Sequence, residues 1–301
     1  MAKAHEKRSA RFLALILALI MVASALVLLF RSPSTKEERE IKFDMGNCWK
    51  DWIRYLPNTT QYVFFVNFEE KNETLKSFIY NQTLKSLYSN RLSFYIFRDF
   101  RPSIQSFKRM MVFDYYNYLI DVNRSKVYFA YQKKTSYRNF TLKVGDVAGR
   151  NYALIDETHP VILARPIYAE KIIDDLYGSK NFTSEYNYTS RINGSFSYVF
   201  ILAGDLAKRT LTDNGTPIAD FYFEGYRMNG SIYEKVVGIH FLKYYFFVKT
   251  NKTANETAYY YYKNYDDMFS VAKIGSYNLT NLTGMMPEIR TIVIRFGNET
   301  S

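Results

Sequence analysis

Residues 218–241, IADFYFEGYRMNGSIYEKVVGIHF, have the most regular pattern in this chain of 301 residues. Two runs rich in aromatic and β-branched residues, 218–228 and 231–241, flank the dipeptide Asn229-Gly230. Asn-Gly readily takes the left-handed backbone angles of a type I′ turn. The stretch therefore predicts a β-hairpin made of two long strands.

Runs of similar composition predict further strands on both sides of this hairpin. The predicted strands are residues 61–68, 91–97, 126–132, 159–165, 195–204, 243–250, 257–265 and 289–296. Helical spacing and helix-end signals predict helices over residues 72–90, 166–178 and 266–274. The order strand, helix, strand occurs twice at a spacing of roughly 100 residues, which leaves a loose duplication open, although no matching residues support it. Helices packed on an antiparallel-rich sheet give an α+β fold, which is the predicted fold class.

The N-terminal segment predicts a membrane anchor. Residues 12–30 carry no charge and are mostly apolar, and a helix of nineteen residues spans roughly 28 Å, close to the thickness of a bilayer core. Four basic residues precede this segment and favour the cytoplasmic side, so the chain after Arg31 is predicted to be extracellular. These basic residues are Lys3, Lys7, Arg8 and Arg11. A signal peptide cleaved after Ala25 is the alternative, and it gives the same compartment.

The same pattern divides the chain into four parts. Residues 1–11 form a cytoplasmic tail, residues 12–30 a transmembrane signal anchor, and residues 31–41 a polar stalk. Residues 42–301 form the extracytoplasmic domain, which is long enough for one large domain or for two subdomains that meet near residues 150–160. The predicted location is the cell membrane, with a single pass and a cytoplasmic N-terminus.

Asparagine sequons are the strongest functional signal in the chain. The pattern Asn-x-Ser/Thr occurs fifteen times, whereas random placement would give about three copies. The sequons start at Asn58, Asn72, Asn81, Asn123, Asn139, Asn181, Asn187, Asn193, Asn214, Asn229, Asn251, Asn255, Asn278, Asn281 and Asn298. Each one alone also fits a turn in which the side chain bonds to nearby backbone. Their number predicts N-glycosylation, which takes place on the far side of a membrane.

Amino-acid usage narrows the type of host. Cys48 is the only cysteine, so the chain cannot form an intramolecular disulfide, although secreted animal domains of this size usually have several. Cys48 is predicted either as a small buried apolar residue or as a bridge between two chains. The 28 Tyr and four Gln residues are typical of hyperthermophile proteins, and only six Asn residues lie outside sequons. In composition the chain resembles archaeal cell-surface glycoproteins.

The net charge of +11 does not indicate a nucleic-acid partner. Residues 32–301 contain 35 basic and 28 acidic residues, and no continuous run of Lys and Arg forms a phosphate-binding patch. The positive charge could attract an acidic surface polymer or lipid headgroups, and solubility is a simpler explanation for it. The predicted partners are the lipid bilayer through residues 12–30, N-linked glycans, and a surface polymer or a membrane protein.

Motifs for catalysis are scarce. The chain has no H-E-x-x-H, G-x-S-x-G, P-loop or G-x-G-x-x-G pattern, and we predict no catalytic residue, no metal ligand and no cofactor. The best acidic cluster, Asp156-Glu157 with His159, could supply two carboxylates and an imidazole to one cation. A strand-end turn capped by Asp explains the same residues. His240 is expected to alternate with apolar neighbours in a strand.

These features predict a membrane-anchored, heavily N-glycosylated cell-surface protein with a binding or envelope-structural role. Two alternatives stay open. One is an extracytoplasmic hydrolase or transferase that acts on polysaccharide or peptide, and the other is a tethered partner of a membrane transport or secretion complex. An enzyme should have a cleft in which carboxylates or His240 converge, and a binding module should have an exposed aromatic face.

Overall fold

Twelve strands form one sheet in the computed structural model, which describes residues 40–88, 91–178, 184–249 and 257–291. Every neighbouring pair in this sheet is antiparallel. With strands numbered along the chain, the order across the sheet is β18 (Tyr259–Asn264), β19 (Phe269–Ser276), β16 (Ile232–Phe241), β15 (Ala219–Asn229), β12 (Tyr198–Ala203), β2 (Tyr62–Asn67), β4 (Phe107–Phe113), β5 (Asn117–Val122), β11 (Val161–Ala164), β9 (Arg150–Ile155), β8 (Phe140–Val147) and β7 (Lys133–Tyr137). The sheet is continuous through strands from both halves of the sequence.

Shorter elements accompany this sheet. Within the described ranges, two-stranded ladders join β1 (Phe43–Asp44) to β10 (Thr158–His159), β3 (Phe100–Arg101) to β6 (Tyr128–Phe129), β13 (Thr212–Asp213) to β14 (Thr216–Pro217), and β17 (Tyr245–Val248) to β20 (Glu288–Thr291). The helices are α1 (Trp49–Ile53), α2 (Glu73–Tyr88), α3 (Arg91–Asp99), α4 (Pro166–Leu176), α5 (Gly204–Thr210) and α6 (Leu279–Gly284). Three 3₁₀ segments are Ile104–Ser106, Arg124–Lys126 and Ser184–Arg191. The predicted α+β class, an antiparallel-rich sheet with a few helices, is confirmed.

Helices cover both faces of the sheet. Along β2, Phe64 faces one apolar cluster and Phe65 faces the other, as the alternation of side chains in a strand requires. Helices α2, α3, α5 and α6 contribute side chains to the cluster that contains Phe64. Helices α1 and α4 contribute to the cluster that contains Phe65. Burial on both faces explains why β2 is a continuous apolar run.

The two central strands repeat each other in sequence. β2 begins Tyr62-Val-Phe-Phe and β12 begins Tyr198-Val-Phe-Ile, so the repeat spacing is 198 minus 62, or 136 residues. Phe64 lies opposite Phe200, and each is the third residue of its strand. The pairing of β2 with β12 is therefore symmetric about these two residues. After each of these two strands, the chain forms helical structure on the same face of the sheet. It then forms a hairpin that belongs to the sheet. A strand, helical structure and a hairpin therefore recur at the spacing of β2 and β12. The strand, helix, strand order and the spacing of roughly 100 residues considered from the sequence are wrong, because residues 91–97 are helical and that spacing matched β2 with β11.

Three predicted elements are wrong. Residues 91–97 belong to helix α3 and not to a strand, because Leu92 and Ile96 are one helical turn apart and both pack on the same apolar cluster. The helix predicted over 266–274 is strand β19, which is held between β16 and β18 and buried along most of its length. The strand predicted over 126–132 is reduced to the two residues of β6.

The hairpin of residues 218–241 is confirmed, but its turn differs from the predicted one. Asn229 pairs with Ile232, so Gly230 and Ser231 form the two-residue loop. Only Gly230 has a positive φ in this loop, with a value of 62°. This is the pattern of a type II′ turn and not of type I′. Asn229 stays in the ladder, and its amide donates to the Tyr259 hydroxyl at 3.1 Å.

A substitution at Gly230 tests this turn. A Cβ atom at Gly230 would meet no atom within 4 Å, so any loss of stability reflects the positive φ alone. We expect Gly230→Ala to lower the free energy of unfolding by about 1–2 kcal/mol. Gly284→Ala is the control, because Gly284 has the same open space but lies at the end of α6 without a positive φ. Equal stability of the two variants in denaturant unfolding would contradict the turn.

Candidate functional site

The sequon asparagines lie mainly on the surface. Eleven of the fifteen fall within the described residues, where ten have exposed side chains and Asn72 is half-buried. The other four, at Asn181, Asn251, Asn255 and Asn298, lie outside the described residues. Residues 12–30 and the four basic residues before them also lie outside. In the part of the chain that the structure describes, no helix is long and apolar enough to cross a bilayer.

Several sequon asparagines also shape the backbone. Asn72, Asn123 and Asn278 each cap a helical segment through the Oδ1 atom, which accepts a backbone N–H at 2.9, 3.1 and 3.2 Å respectively. A glycan attaches to the other atom of the amide, Nδ2. Asn139 and Asn214 lie in turns and have positive φ values of 68° and 48°. Turn formation and glycan attachment are therefore compatible at the same asparagine.

Three sequons have a hydroxyl that the fold hides. Thr60, two residues after Asn58, is buried, and within the described residues its hydroxyl has no hydrogen-bond partner. Thr83, two residues after Asn81 in α2, is buried and donates to a carbonyl of its own helix at 2.8 Å. Thr189, two residues after Asn187, is buried in a 3₁₀ segment and donates to a local carbonyl at 2.6 Å. A transferase that reads this hydroxyl has to reach these three sequons before the chain folds.

The cluster of Asp156, Glu157 and His159 does not converge on one point. Asp156 forms a buried ion pair with Lys143, with 2.6 Å between Oδ2 and Nζ. Glu157 lies 3.1 Å from the Nζ atom of Lys42, and His159 is directed to two other carboxylates. Among the described residues, no group of three or more His, Cys, Asp or Glu side chains is placed to hold a metal ion. The interpretation of this cluster as one cation site is therefore wrong.

His159 links the N-terminal segment to the sheet. Its Nδ1 atom lies 2.9 Å from Oδ1 of Asp44 in β1, and its Nε2 atom lies 3.2 Å from Oδ1 of Asp121 in β5. Arg109 in β4 approaches the other oxygen of Asp121 at 2.8 Å. The hydrogen bond to Asp121 raises the pKa of His159, and the hydrogen bond to His159 lowers the pKa of Asp44. The His159 ring, which lies between two carboxylates, links β1 to β5, and we call Asp44, His159 and Asp121 the histidine clamp.

The histidine clamp predicts a specific pH dependence. Because the folded pKa of His159 is raised above its ordinary value of 6.5, its contribution to stability is complete below that value and is lost as the pH rises through the folded pKa. Because the folded pKa of Asp44 lies below 3.8, its contribution is present above that value and is lost as the pH falls through the folded pKa. We expect His159→Gln to flatten the fall in unfolding free energy that accompanies a rise in pH above 6.5. Asp44→Asn should reduce this slope partly, and an unchanged slope in His159→Gln would contradict the clamp.

The second half of the sheet encloses a lysine that the sequence patterns did not single out. Lys235 in β16 is 1% exposed. Its ammonium group donates to the carbonyl of Met285 at 2.8 Å and lies 3.5 Å from Glu224 in β15. Met285 is the C-cap of α6, so the ammonium group binds the negative end of this helix. Burial lowers the pKa of Lys235.

Two tyrosines complete the surroundings of Glu224. The hydroxyls of Tyr222 and Tyr226 both donate to its carboxylate, the latter at 2.6 Å, and burial raises the pKa of both hydroxyls. Tyr222, Glu224 and Tyr226 share one strand face, and this period of two is the signal that could have identified the group in the sequence. Since Lys235 is enclosed and already bonded, the group anchors α6 and does not present a reactive amine.

His240 and Cys48 have local partners. The Nδ1 atom of His240 lies 2.5 Å from Oδ1 of Asp220, and its ring stacks on Tyr188 with 4.4 Å between centroids. Cys48 is half-buried at the N-cap of α1, and burial raises the pKa of its thiol. Half-burial fits the packing role considered for Cys48, and the bridge between two chains stays a prediction.

Comparisons with known proteins show the relationship of the chain to other proteins. A family model, the AF_2048_N family N-terminal domain, matches residues 44–176 and so ends where α4 ends. A protein of Archaeoglobus fulgidus, described as an uncharacterized protein, is 33% identical over 311 residues, which cover 99% of this chain and 98% of that protein.

A solved structure, described as crystal form III of TP0453, aligns with 74% of this chain and 92% of that chain. The TM-score is 0.37 and the sequence identity is 8%, which is too distant to carry an argument. The sequence relationship is the informative one. The chain therefore belongs to an archaeal protein family that includes the Archaeoglobus fulgidus protein, and its residues 44–176 match the AF_2048_N family N-terminal domain.

Proposed function

We propose that this chain is a membrane-anchored, heavily N-glycosylated cell-surface protein with a binding or envelope-structural role. The observation that carries the proposal is the exposure of ten of the eleven sequon asparagines that the structure describes. These asparagines lie in hairpin turns, in loops, at the ends of helices and strands and on outer helix faces, where a bulky glycan finds room. The apolar residues 12–30 support the same compartment, because they have the length and composition of a signal anchor.

The N-terminal end of the fold suits a tethered domain. The chain enters through β1, which the histidine clamp fixes to β5, and α1 then inserts Trp49 and Trp52 into the apolar cluster. Both indole rings are fully enclosed. A domain held by its N-terminus to a membrane gains from such a fixed first segment, because the position of the tether on the domain is then defined.

The enzyme alternative has one chemically suggestive group, around Lys235. A lysine whose pKa is lowered by burial is a feature of some catalytic sites. Here the ammonium group also caps α6 and pairs with Glu224, so the group has a structural explanation. The described residues give no specific observation in favour of catalysis, and the binding or envelope role is the better supported proposal.

Protease treatment of intact cells tests the proposed topology. The full chain carries one epitope tag before Met1 and another after Ser301, and protease is added outside the cells. We expect the C-terminal tag to disappear while the N-terminal tag survives on a short fragment, because only residues after Arg31 face the medium. Permeabilised cells should lose both tags, and a cytoplasmic marker protein should survive only in intact cells. Survival of the C-terminal tag in intact cells would overturn the topology.

A further inference from the structure

The excess positive charge of the chain after Arg31 is concentrated in one stretch. Residues 32–301 contain 35 basic and 28 acidic residues, a net charge of +7. Residues 85–134 contain ten Lys or Arg and three Asp, which is also +7. The remainder of residues 32–301 is therefore balanced. The charges form no continuous run, because they are distributed over several elements from the end of α2 to the start of β7.

Exposed aromatic rings lie among these charges. Tyr88 at the end of α2 is 60% exposed and Phe94 in α3 is 51% exposed, with 6.4 Å between their ring centroids. The guanidinium group of Arg98 lies 5.1 Å from the ring centroid of Tyr95. Helix α3 packs Ile96 against the sheet and presents aromatic and basic side chains to solvent.

The same surface continues onto the ladder of β3 and β6. Arg101 lies opposite Tyr128, which is 61% exposed. The carbonyl of Asp99 accepts the amide of Ala130 at 3.3 Å, and the carboxylate of Asp99 pairs with Arg98 at 2.9 Å. These contacts join α3 to the ladder. The aromatic-basic surface consists of Tyr88, Arg91, Phe94, Arg98, Arg101 and Tyr128.

The end of the sheet where the N-terminal segment enters also carries the connections that lead to this surface. The histidine clamp fixes β1 to Asp121, near the end of β5. Val122, the last residue of β5, lies opposite Phe107, the first residue of β4. The chain reaches β6 from the end of β5, and it reaches β4 from β3 through a short 3₁₀ segment. The histidine clamp therefore lies at the end of β5 from which the chain continues to β6.

The distance from this entry to the proposed bilayer is short. Nine residue steps separate Arg31, which follows the proposed anchor, from Glu40, the first described residue. A fully extended chain of this length spans at most roughly 30 Å. The tether is therefore no longer than about one bilayer thickness.

We propose that the aromatic-basic surface docks on the anionic headgroup layer of the bilayer in which residues 12–30 are anchored. This inference rests on the proposed function. Arginine side chains attract anionic headgroups, and exposed rings such as those of Phe94 and Tyr88 favour the interface between headgroups and acyl chains. An acidic surface polymer would also attract the arginines. It gives no reason, however, for an exposed phenylalanine in the centre of α3, whereas a bilayer explains both features.

The docking proposal also sets a requirement for one sequon, Asn123. Asn123 caps the 3₁₀ segment that precedes β6, the strand that carries Tyr128 of the aromatic-basic surface. A bulky polar glycan at Asn123 would hold this surface away from the lipid. Docking requires Asn123 to be unmodified in the membrane-bound protein, while exposed sequons elsewhere, such as Asn214, carry glycans.

Fluorescence quenching by lipids tests the docking in the full chain. A fluorophore is attached to a Phe94→Cys variant in a Cys48→Ser background, and the full-length protein is reconstituted into phosphatidylcholine vesicles with or without anionic phosphatidylglycerol. Lipids with a nitroxide at headgroup depth quench a fluorophore that touches the bilayer. A Tyr277→Cys variant carries the control label, because Tyr277 is exposed in the other half of the sheet. We expect quenching at position 94 in anionic vesicles to exceed that at position 277 by about twofold or more.

Charge variants show whether the arginines carry the docking. Arg91→Gln/Arg98→Gln should abolish the extra quenching at position 94. Lys243→Gln/Lys263→Gln is the matched control, because it removes two exposed charges from the other half of the sheet and should leave quenching unchanged. An unchanged denaturation midpoint for both variants shows that they fold, and Arg101→Gln replaces any variant that does not.

The outcomes separate the docking proposal from the proposed function. Vesicle flotation of the full chain with equal, weak quenching at both positions overturns the docking alone. Failure of the chain to float with the vesicles overturns the anchor and the docking together. Shielding of position 94 by an added acidic polysaccharide, without quenching by lipid, assigns the surface to a polymer and overturns the bilayer as its partner. A glycan on Asn123 in the native protein also overturns the docking.

Discussion

Replacing Lys235 by methionine is expected to lower the free energy of unfolding by about 3–5 kcal/mol. The substitution leaves the Glu224 carboxylate without its cation and leaves the Met285 carbonyl at the end of α6 without its donor. Removal of one partner from a buried ion pair is costly, because the remaining charge stays out of contact with water. Denaturant unfolding at neutral pH measures the loss.

A surface lysine provides the control for Lys235. Lys208 pairs with Asp205 at 3.6 Å on the exposed side of α5, so Lys208→Met should cost less than about 1 kcal/mol. The double variant Glu224→Gln/Lys235→Met should be more stable than Lys235→Met, because it no longer has an unpaired carboxylate. If Lys235→Met were as stable as Lys208→Met, Lys235 would not anchor α6.

Replacing Trp52 by alanine is expected to cost about 3–5 kcal/mol. Trp52 is 0% exposed and packs edge-on against Phe65 of β2, with 5.5 Å between ring centroids. Its indole N–H donates to the carbonyl of Gly46 at 2.8 Å. The variant loses this hydrogen bond and leaves a cavity beside the central strand, so the first segment of the domain should loosen. Denaturant unfolding measures the loss.

The two tryptophans of α1 form a matched pair. Trp49 is as deeply buried as Trp52, but its indole N–H has no hydrogen-bond partner within the described ranges. Phenylalanine at either position removes a similar volume, so the two variants differ mainly in one hydrogen bond. We expect Trp52→Phe to be less stable than Trp49→Phe by about 1–3 kcal/mol. Equal losses would show that the bond to Gly46 contributes nothing.

The fold could be predicted from the sequence where a strand is buried on both faces or where a helix has clear ends. β2, β12 and the hairpin of β15 and β16 are continuous or alternating apolar runs, and α4 begins at Pro166 as predicted. The errors lie where tertiary contacts decide the structure. Helix α3 is rich in aromatic residues that favour strands, and it becomes a helix because one of its sides packs on the sheet.

The candidate sites likewise differ in how far they could be predicted from the sequence. A sequon is a local pattern, so its position follows directly from the sequence, and the fold adds only its exposure. The histidine clamp joins Asp44 to His159, which lie 115 residues apart, and no local pattern reveals such a pair. The bond between Lys235 and the end of α6 likewise depends on how that helix packs against β16. The repeat that begins at Tyr62 and Tyr198 is short, so it does not stand out in the sequence, whereas the pairing of β2 with β12 makes its spacing evident.

Site-by-site glycan occupancy, measured by mass spectrometry on protein taken from its native membrane, tests the central proposal most directly. The exposed sequons other than Asn123 should carry glycans, including Asn139 and Asn214 in their hairpin turns and Asn229 next to its turn. Glycans on Asn81 and Asn187 would further show that addition precedes folding, because the hydroxyls of these sequons are buried in the native fold. Unmodified asparagine at all fifteen sequons would contradict a glycosylated surface protein, and the function would have to be argued again from the fold alone.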